Sequence, residues 1–440
     1  MTTADTQELP WYLQGNYGPI QDELEVRELE VEGEVPEALE GSYYRNGFNP
    51  PSGWSDHWFF GTGMIHQVEF GGGQPLVYRN RYVRTPYFEK TPDLMTAMMD
   101  PANSPANTNI IRHAGKYLAL EEAHRAWEVT SDLETVSCYD FAGRFEGKTM
   151  TAHPKICPVT GELLFFGYQM TGEPYLTYYR ADASGALVQS ENIDIGRAVM
   201  MHDFIVTEHY VVFMDLPIVI GAIGPQYKPE EGARLGVMPR SGTNADVTWY
   251  EIAPCTVFHP LNAYEEGSRI VMDVCKQKDG QMREGMNDLS GEPAKLWRWT
   301  IDTATGTVTD DLFDERYADF PKVDDRMAGL KSRYGYAASF LNAGAPKLGS
   351  EVIKYDLEKN TSEVHDLGSN ATCQEPSFAP KRPDSPEGEG YVLVYSYDNV
   401  EDSSSLVIID SENFSGPPIG TVKLPQRVPF GAHGNWIPNE

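Results

Sequence analysis

A chain of 440 residues with 40% hydrophobic side chains can bury a large core and is too apolar to be disordered. Its formal net charge of −30 at pH 7 excludes nucleic-acid binding driven by charge, and excludes electrostatic docking on anionic lipid. No basic-then-apolar leader opens the sequence, and no run has the length of a membrane-spanning helix. The five cysteines (Cys138, Cys157, Cys255, Cys275 and Cys373) are scattered, with no CxxC pairing. Such a set predicts reduced thiols in a cytoplasmic protein, each thiol a small buried side chain.

The first helical candidate in chain order is EKTPDLMTAMM, residues 89–99, with an apolar stripe. Short strand-like runs then follow: ELLFFGY, YLTYYRAD, DFIVTEHYVVFMDLP, SRIVMDVCKQ, KLWRWTID, EVIKYDLEKN, GYVLVYSYD, SLVIIDSENF and IGTVKLP. β-Branched and aromatic residues dominate them, and Gly, Pro, Asp or Asn closes each one, which predicts an all-β fold of antiparallel strands. RWTIDTATGTVTDDLF, VIKYDLEKNTSEVHDL and VIIDSENFSGPPIGTVKL each read as strand, turn and strand, and their repetition favours a β-propeller over a sandwich. Residues 216–236, LPIVIGAIGPQYKPEEGARLG, read as a long Gly/Pro-rich insertion suited to covering one face. No Ser/Gly linker divides the chain, so residues 1–440 are expected to form a single domain.

Four of the ten histidines share a setting at strand ends: His153 in TAHPKICP, His202 in VMMHDFIV, His259 in CTVFHPLN and His433 in PFGAHGNW. Their separations match no local metal motif, and spacing alone leaves them ordinary core or surface histidines. In a propeller, however, inner strands of different blades meet on one axis, where one histidine from each of four blades can converge. Imidazole suits iron, zinc, copper and nickel. Four neutral imidazoles leave a divalent ion its full charge and leave two positions open in an octahedral site, whereas zinc prefers a closed tetrahedron. Ligating histidines need a partner for the second ring nitrogen, and Glu122, Asp319 and Glu375 lie in apolar surroundings that suit that task.

The blocks GSYYRNGFNP (41–50), HWFFGTGMIHQVEF (57–70), YRNRYVRT (78–85), ANTNIIRHAGKYLALEE (106–122) and AHPKICPVTGELLFFGY (152–168) are followed by MHDFIVTEHYVVFMDLP (201–217), FPKVDDRMAG (320–329), EPSFAP (375–380) and PFGAHGNW (429–436). In these blocks and in their order the chain resembles the carotenoid cleavage oxygenase family, which includes lignostilbene and apocarotenoid dioxygenases. The resemblance implies a seven-bladed β-propeller with a loop-and-helix dome over the metal face. It implies Fe(2+) on His153, His202, His259 and His433, with Glu122, Asp319 and Glu375 behind three of them, and Thr108 crowding one open position. Two positions depart from the family pattern: Asp319 stands where a glutamate is usual, a shorter acid that either reaches through a shifted backbone or a water or loosens His259 and lowers iron affinity, and Thr62 stands where HWFxGDGM has aspartate.

The implied reaction uses O2 to split a conjugated carbon–carbon double bond into two carbonyl products, with no organic cofactor. Lignostilbene cleavers usually carry a lysine where this chain has Glu121, a carboxylate that accepts a hydrogen bond from a phenol or alcohol instead. Tyr87 and Phe59 complete the substrate-contacting candidates. The apolar pieces at 94–99 and 216–224 suit a greasy dome entrance with weak membrane contact, and favour an apocarotenoid, with a stilbene or phenylpropenoid as the alternative. Three rival readings are a propeller hydrolase around a hard cation, an inactive binding scaffold, and a membrane-bound isomerase of the same family that acts on retinyl esters.

Overall fold

The computed structural model describes residues 9–90, 100–145, 148–221, 224–283, 288, 290–341 and 347–439. Among them the regular structure is almost all antiparallel β-strand, with a single five-residue α-helix, Pro86–Lys90. The predicted helix at 89–99 therefore contributes only its first two residues to that helix, and 91–99 lie outside the described residues. The predicted hairpins form: Lys295–Asp302 pairs with Thr307–Lys322, Lys347–Asp356 with Thr361–Asp366, and Ser403–Asp410 with Gly420–Lys423. The predicted long insertion is more ordered than expected, because Ile218–Gly221 and Gly224–Tyr227 pair as a small hairpin within it.

Sheets follow one another along the chain and pack face to face through apolar clusters. Leu118, Leu120, Leu163 and Phe165 join Asn109–His113 and Lys116–Leu120 to the sheet of Leu163–Tyr168. Phe166, Tyr178, Phe204 and Phe213 join that sheet to Tyr210–Asp215, and Leu235, Met272, Trp299 and Ile301 continue to Arg269–Gln277 and Lys295–Asp302. Further clusters run through Tyr355 and Val394 to Leu406, Tyr43 and Phe70, so the succession of sheets returns to its start.

The two chain ends interlock at that return. The C-terminal strand Gly434–Pro438 pairs with Gly41–Phe48, and the N-terminal Val31–Gly33 pairs with Gly420–Lys423. The strands that lie at the edges of their sheets include Asn109–His113, Lys155–Ile156, Ile205–Val206, Thr256–Glu266 and Gly434–Pro438. Thr108, His153, His202 and His433 lie just ahead of four of these strands and His259 lies near the start of the fifth, so the sheet edges present them to one point. Among the described residues no helix is long and apolar enough to cross a membrane, and all five cysteines are free thiols.

Candidate metal centre

Local backbone chemistry aims the histidines. His153 and His259 each precede a proline, which disfavours the helical region and holds them extended. Around His259 the pairing with Arg269–Gln277 slips between Val257 and Pro260 and again between Pro260 and Asn262. Such a bulge re-aims a side chain out of the regular pleat.

The four rings converge. Nε2 of His153 lies 2.9 Å from Nε2 of His202, which lies 3.1 Å from Nε2 of His259. One ring nitrogen from each of His153, His202, His259 and His433 falls within 4.8 Å of all the others. Neutral imidazoles do not gather lone pairs in this way for their own sake. Two nitrogens bound at right angles to one ion, each about 2.1 Å from it, stand about 3.0 Å apart. The observed separations fit that spacing, so the donor set suits a divalent transition metal.

The opposite ring nitrogens are anchored. Nδ1 of His202 meets Glu122 Oε2 at 3.0 Å, and the Tyr168 hydroxyl donates to Glu122 Oε1 at 3.0 Å. Nδ1 of His433 meets Glu375 Oε1 at 2.7 Å, while the Gly434 N–H donates to Glu375 Oε2 at 2.7 Å. The buried Arg45 guanidinium lies 3.5 Å from that same oxygen. Burial pushes the Glu375 carboxyl up, but Lys322, His433 and Arg45 outweigh it and hold the group at about 2. Burial, with its neighbouring imidazoles, drives His153 well below the ordinary 6.5, and burial drives His433 down to about 3 against the pull of Glu375. Burial also pulls His202 down, yet Glu122 outweighs it and raises the group. His153 and His433 are thus neutral, the form a metal requires.

Asp319 reaches His259 directly, with Oδ1 2.8 Å from Nδ1 and no water between. The backbone shift that a shorter acid needs is present. The strand Thr307–Lys322 slips register against Tyr334–Leu341 between Asp319 and Lys322, and Phe320 adopts φ +55°. The Phe320 N–H also donates to Asp319 Oδ1 at 2.8 Å, and its ring packs 5.0 Å from that of His259. A fourth acid was missed by sequence reasoning: Asp203 lies 3.5 Å from His153 Nδ1 and pairs with Lys155 Nζ at 2.8 Å. Its signal was its position directly after His202 in MHDF.

Two cavities meet at the histidines. One, of about 200 Å³, is walled by aromatic and Met side chains, including Phe48, Trp58, Phe59, Phe258, Phe320 and Met200. Thr108, Glu121 and Glu122 line the same cavity, as do Ile220 and Pro225 from the hairpin within 216–236. Glu121 accepts from the Ala123 N–H at 3.0 Å and is hydrogen-bonded to Nδ1 of His124. Tyr87 is not among the cavity's lining residues: it is buried, and its hydroxyl donates to the Phe60 carbonyl at 2.8 Å. Thr62 is buried, with its carbonyl accepting from the Asn49 N–H. The apolar piece at 94–99 lies outside the described residues. The second cavity, of about 530 Å³, approaches from the other side through polar groups that include Lys155, Asp203, Lys322 and Asn435.

This architecture is shared with known proteins. The retinal pigment epithelial membrane protein family pattern matches residues 17–438. A carotenoid cleavage oxygenase of Mycobacterium tuberculosis is 33% identical, with 100% of each chain covered. The isoeugenol monooxygenase of Pseudomonas putida is 33% identical across 96% of this chain and 97% of its own. The crystal structure of Pseudomonas brassicacearum lignostilbene dioxygenase superposes with a TM-score of 0.89 at 30% identity, covering 97% of this chain and 98% of the other. Matches of this extent over a propeller scaffold, with four imidazoles gathered at one point, establish that the chain belongs to the carotenoid cleavage oxygenase family and is an oxygenase.

Proposed function

We propose that the chain is a non-haem iron(II) dioxygenase that cleaves a conjugated carbon–carbon double bond, adding both atoms of O2 to give two carbonyl products. The observation that carries this reading is the convergence of four histidine ring nitrogens at the end of an aromatic cavity. In it, His153, His202, His259 and His433 hold the ion, and Glu122, Asp319 and Glu375 orient three of them. Iron(II), when bound, supplies O2 activation and Lewis acidity. The chain's own part is placement and exclusion of water. Phe59, Phe258 and Phe320 flank an apolar substrate and shield the reacting carbons from water. The acids behind the rings fix tautomer and direction, so the site needs no rearrangement when the metal enters.

The apolar walls, together with the named activity of the Mycobacterium tuberculosis relative, support an apocarotenoid as substrate. A specific observation favours a second reading, a hydroxylated arylalkene of the stilbene or phenylpropenoid class. Glu121 brings a carboxylate, paired with His124, into an otherwise aromatic wall, and a carboxylate there accepts a hydrogen bond from a substrate hydroxyl. The relatives named for isoeugenol and lignostilbene support that reading. The test is O2 uptake by iron-loaded protein against an apocarotenal, a hydroxystilbene and a propenylphenol, with products read by mass spectrometry. His259→Ala must abolish uptake. Glu121→Gln must weaken only the hydroxylated substrates, and equal turnover of all three by that variant removes the second reading. A protein that binds no iron when offered it sinks the four-histidine reading.

A further inference from the structure

Asn107 links Phe59–Gly61, the aromatic cap of the cavity, to Thr108, and sequence reasoning gave it no role. Its side chain is fully buried. Nδ2 donates to the carbonyls of Phe59 at 2.8 Å and Gly61 at 2.7 Å, both on the cap. Two carbonyl partners can accept only from the NH2 end of an amide, so they fix which end of Asn107 faces which way. Oδ1 is then the atom turned to Thr108, and the Thr108 hydroxyl donates to it at 2.9 Å. Threonine has one hydroxyl proton, and this bond uses it. Because the side chain is β-branched, fixing Oγ1 fixes its methyl as well. The Thr108 backbone is held on both sides, its N–H to Leu120 O and its carbonyl to the N–H of His433. Both Asn107 and Thr108 line the aromatic cavity beside His202, His259 and His433.

We propose that Asn107 is a positioning residue for the metal centre: it ties the Phe59–Gly61 cap to Thr108 and turns the Thr108 hydroxyl proton away from any ligand of the metal. Thr108 then offers such a ligand bulk and lone pairs but no hydrogen-bond donor. A bound anion or small diatomic gains no anchoring from this wall, and the cavity beside the metal stays apolar towards its occupant. A shift of the cap also changes Thr108, because one amide carries both bonds.

This inference rests on the four-histidine metal reading, and cobalt(II)-loaded protein with azide as the probe separates the two. Cobalt per chain is measured first, then azide affinity from the visible spectrum. In Thr108→Val no hydroxyl remains, so azide affinity is expected within about twofold of the parent. In Asn107→Ala the released hydroxyl turns to the anion and tightens azide by about threefold to tenfold, the scale of the net gain from one hydrogen bond. The double variant returns to the Thr108→Val value, because Asn107 acts only through that hydroxyl. An effect of Asn107→Ala confined to folding would not strengthen azide binding, nor vanish in the valine background. An Asn107→Ala protein with full cobalt and unchanged azide affinity overturns the proposal. So does about tenfold weaker azide binding in Thr108→Val, which would mean that the hydroxyl already donates; that arm decides even where Asn107→Ala does not fold. A parent protein that takes up no cobalt overturns the metal reading, and this proposal with it.

Discussion

At the residue scale, the histidine partners differ in how firmly they are held. Glu375 is buried among Arg45, Tyr43 and Gly434, and the Tyr43 hydroxyl also donates to its backbone carbonyl. Asp319 reaches His259 with one oxygen, which also accepts the Phe320 N–H. Asp319→Asn keeps the shape and removes the charge, so metal affinity is expected to drop about 10- to 100-fold, as for outer partners of ligating histidines elsewhere. Asp319→Glu keeps the charge and should cost less; competition with a chelator measures both. The buried His66 supplies a pH test away from the metal. Burial, with Arg45 and Arg427, drives it down to about 3 from the ordinary 6.5. Between those values the unfolded chain binds a proton that the native state does not, so its contribution to stability falls as pH falls from 6.5 towards 3 and is level above 6.5. The slope from this group approaches about 1.4 kcal/mol per pH unit. Urea unfolding of metal-free His66→Asn at several pH values should show a flatter acid limb; an unchanged slope removes His66 from the account. The four histidines were legible from their shared setting at strand ends, and the three acids from their apolar surroundings, with the family resemblance assigning both sets. Asn107, His66 and Asp203 were not, because what they do depends on partners brought by other strands.

At the element scale, strand character was legible from β-branched and aromatic runs, but register was not. The sequence of Thr307–Lys322 gives no sign that pairing slips at Asp319, since the slip depends on Tyr334–Leu341 across from it. Phe320 at φ +55° lies in the left-handed region, which costs a side chain with a Cβ about 1 kcal/mol or more. Its ring stacks on Phe340 at 6.1 Å and packs on His259 and His433, and that contact offsets the strain. Replacing Phe320 removes the contact, but Gly also relieves the strain while Ala keeps it. Glycine is normally the worse of the two in a strand. Here Phe320→Gly is expected to be more stable than Phe320→Ala by about 1 kcal/mol in denaturant unfolding. The reverse order means the left-handed turn is not strained. The seven-stranded sheet changes from pairing with Lys295–Asp302 to pairing with Tyr334–Leu341 within the single long strand Thr307–Lys322, so one strand serves two neighbouring stretches of sheet.

At the scale of the whole molecule, the metal centre depends on closure. No run of residues announces that Gly434–Pro438 pairs with Gly41–Phe48, because that contact joins the two ends of the chain and carries no local signal. The closing strand begins one residue after His433, and Gly434 faces Arg45 across the pair. A Cβ at Gly434 would stand 2.3 Å from the Tyr44 carbonyl, so alanine must push the strands apart. The push falls on the Gly434 N–H that anchors Glu375 and on the backbone of His433. Gly420 provides the comparison. A Cβ there would stand 2.2 Å from the Glu34 carbonyl, at the other closing pair, with Val31–Gly33. Both alanine variants should lose about 1–3 kcal/mol through overpacking and unfold at lower temperature. Only Gly434→Ala should also lose metal, since only its displacement reaches a histidine. Equal metal affinity in the two variants, at comparable loss of thermal stability, would mean that the site tolerates movement of the closing strand.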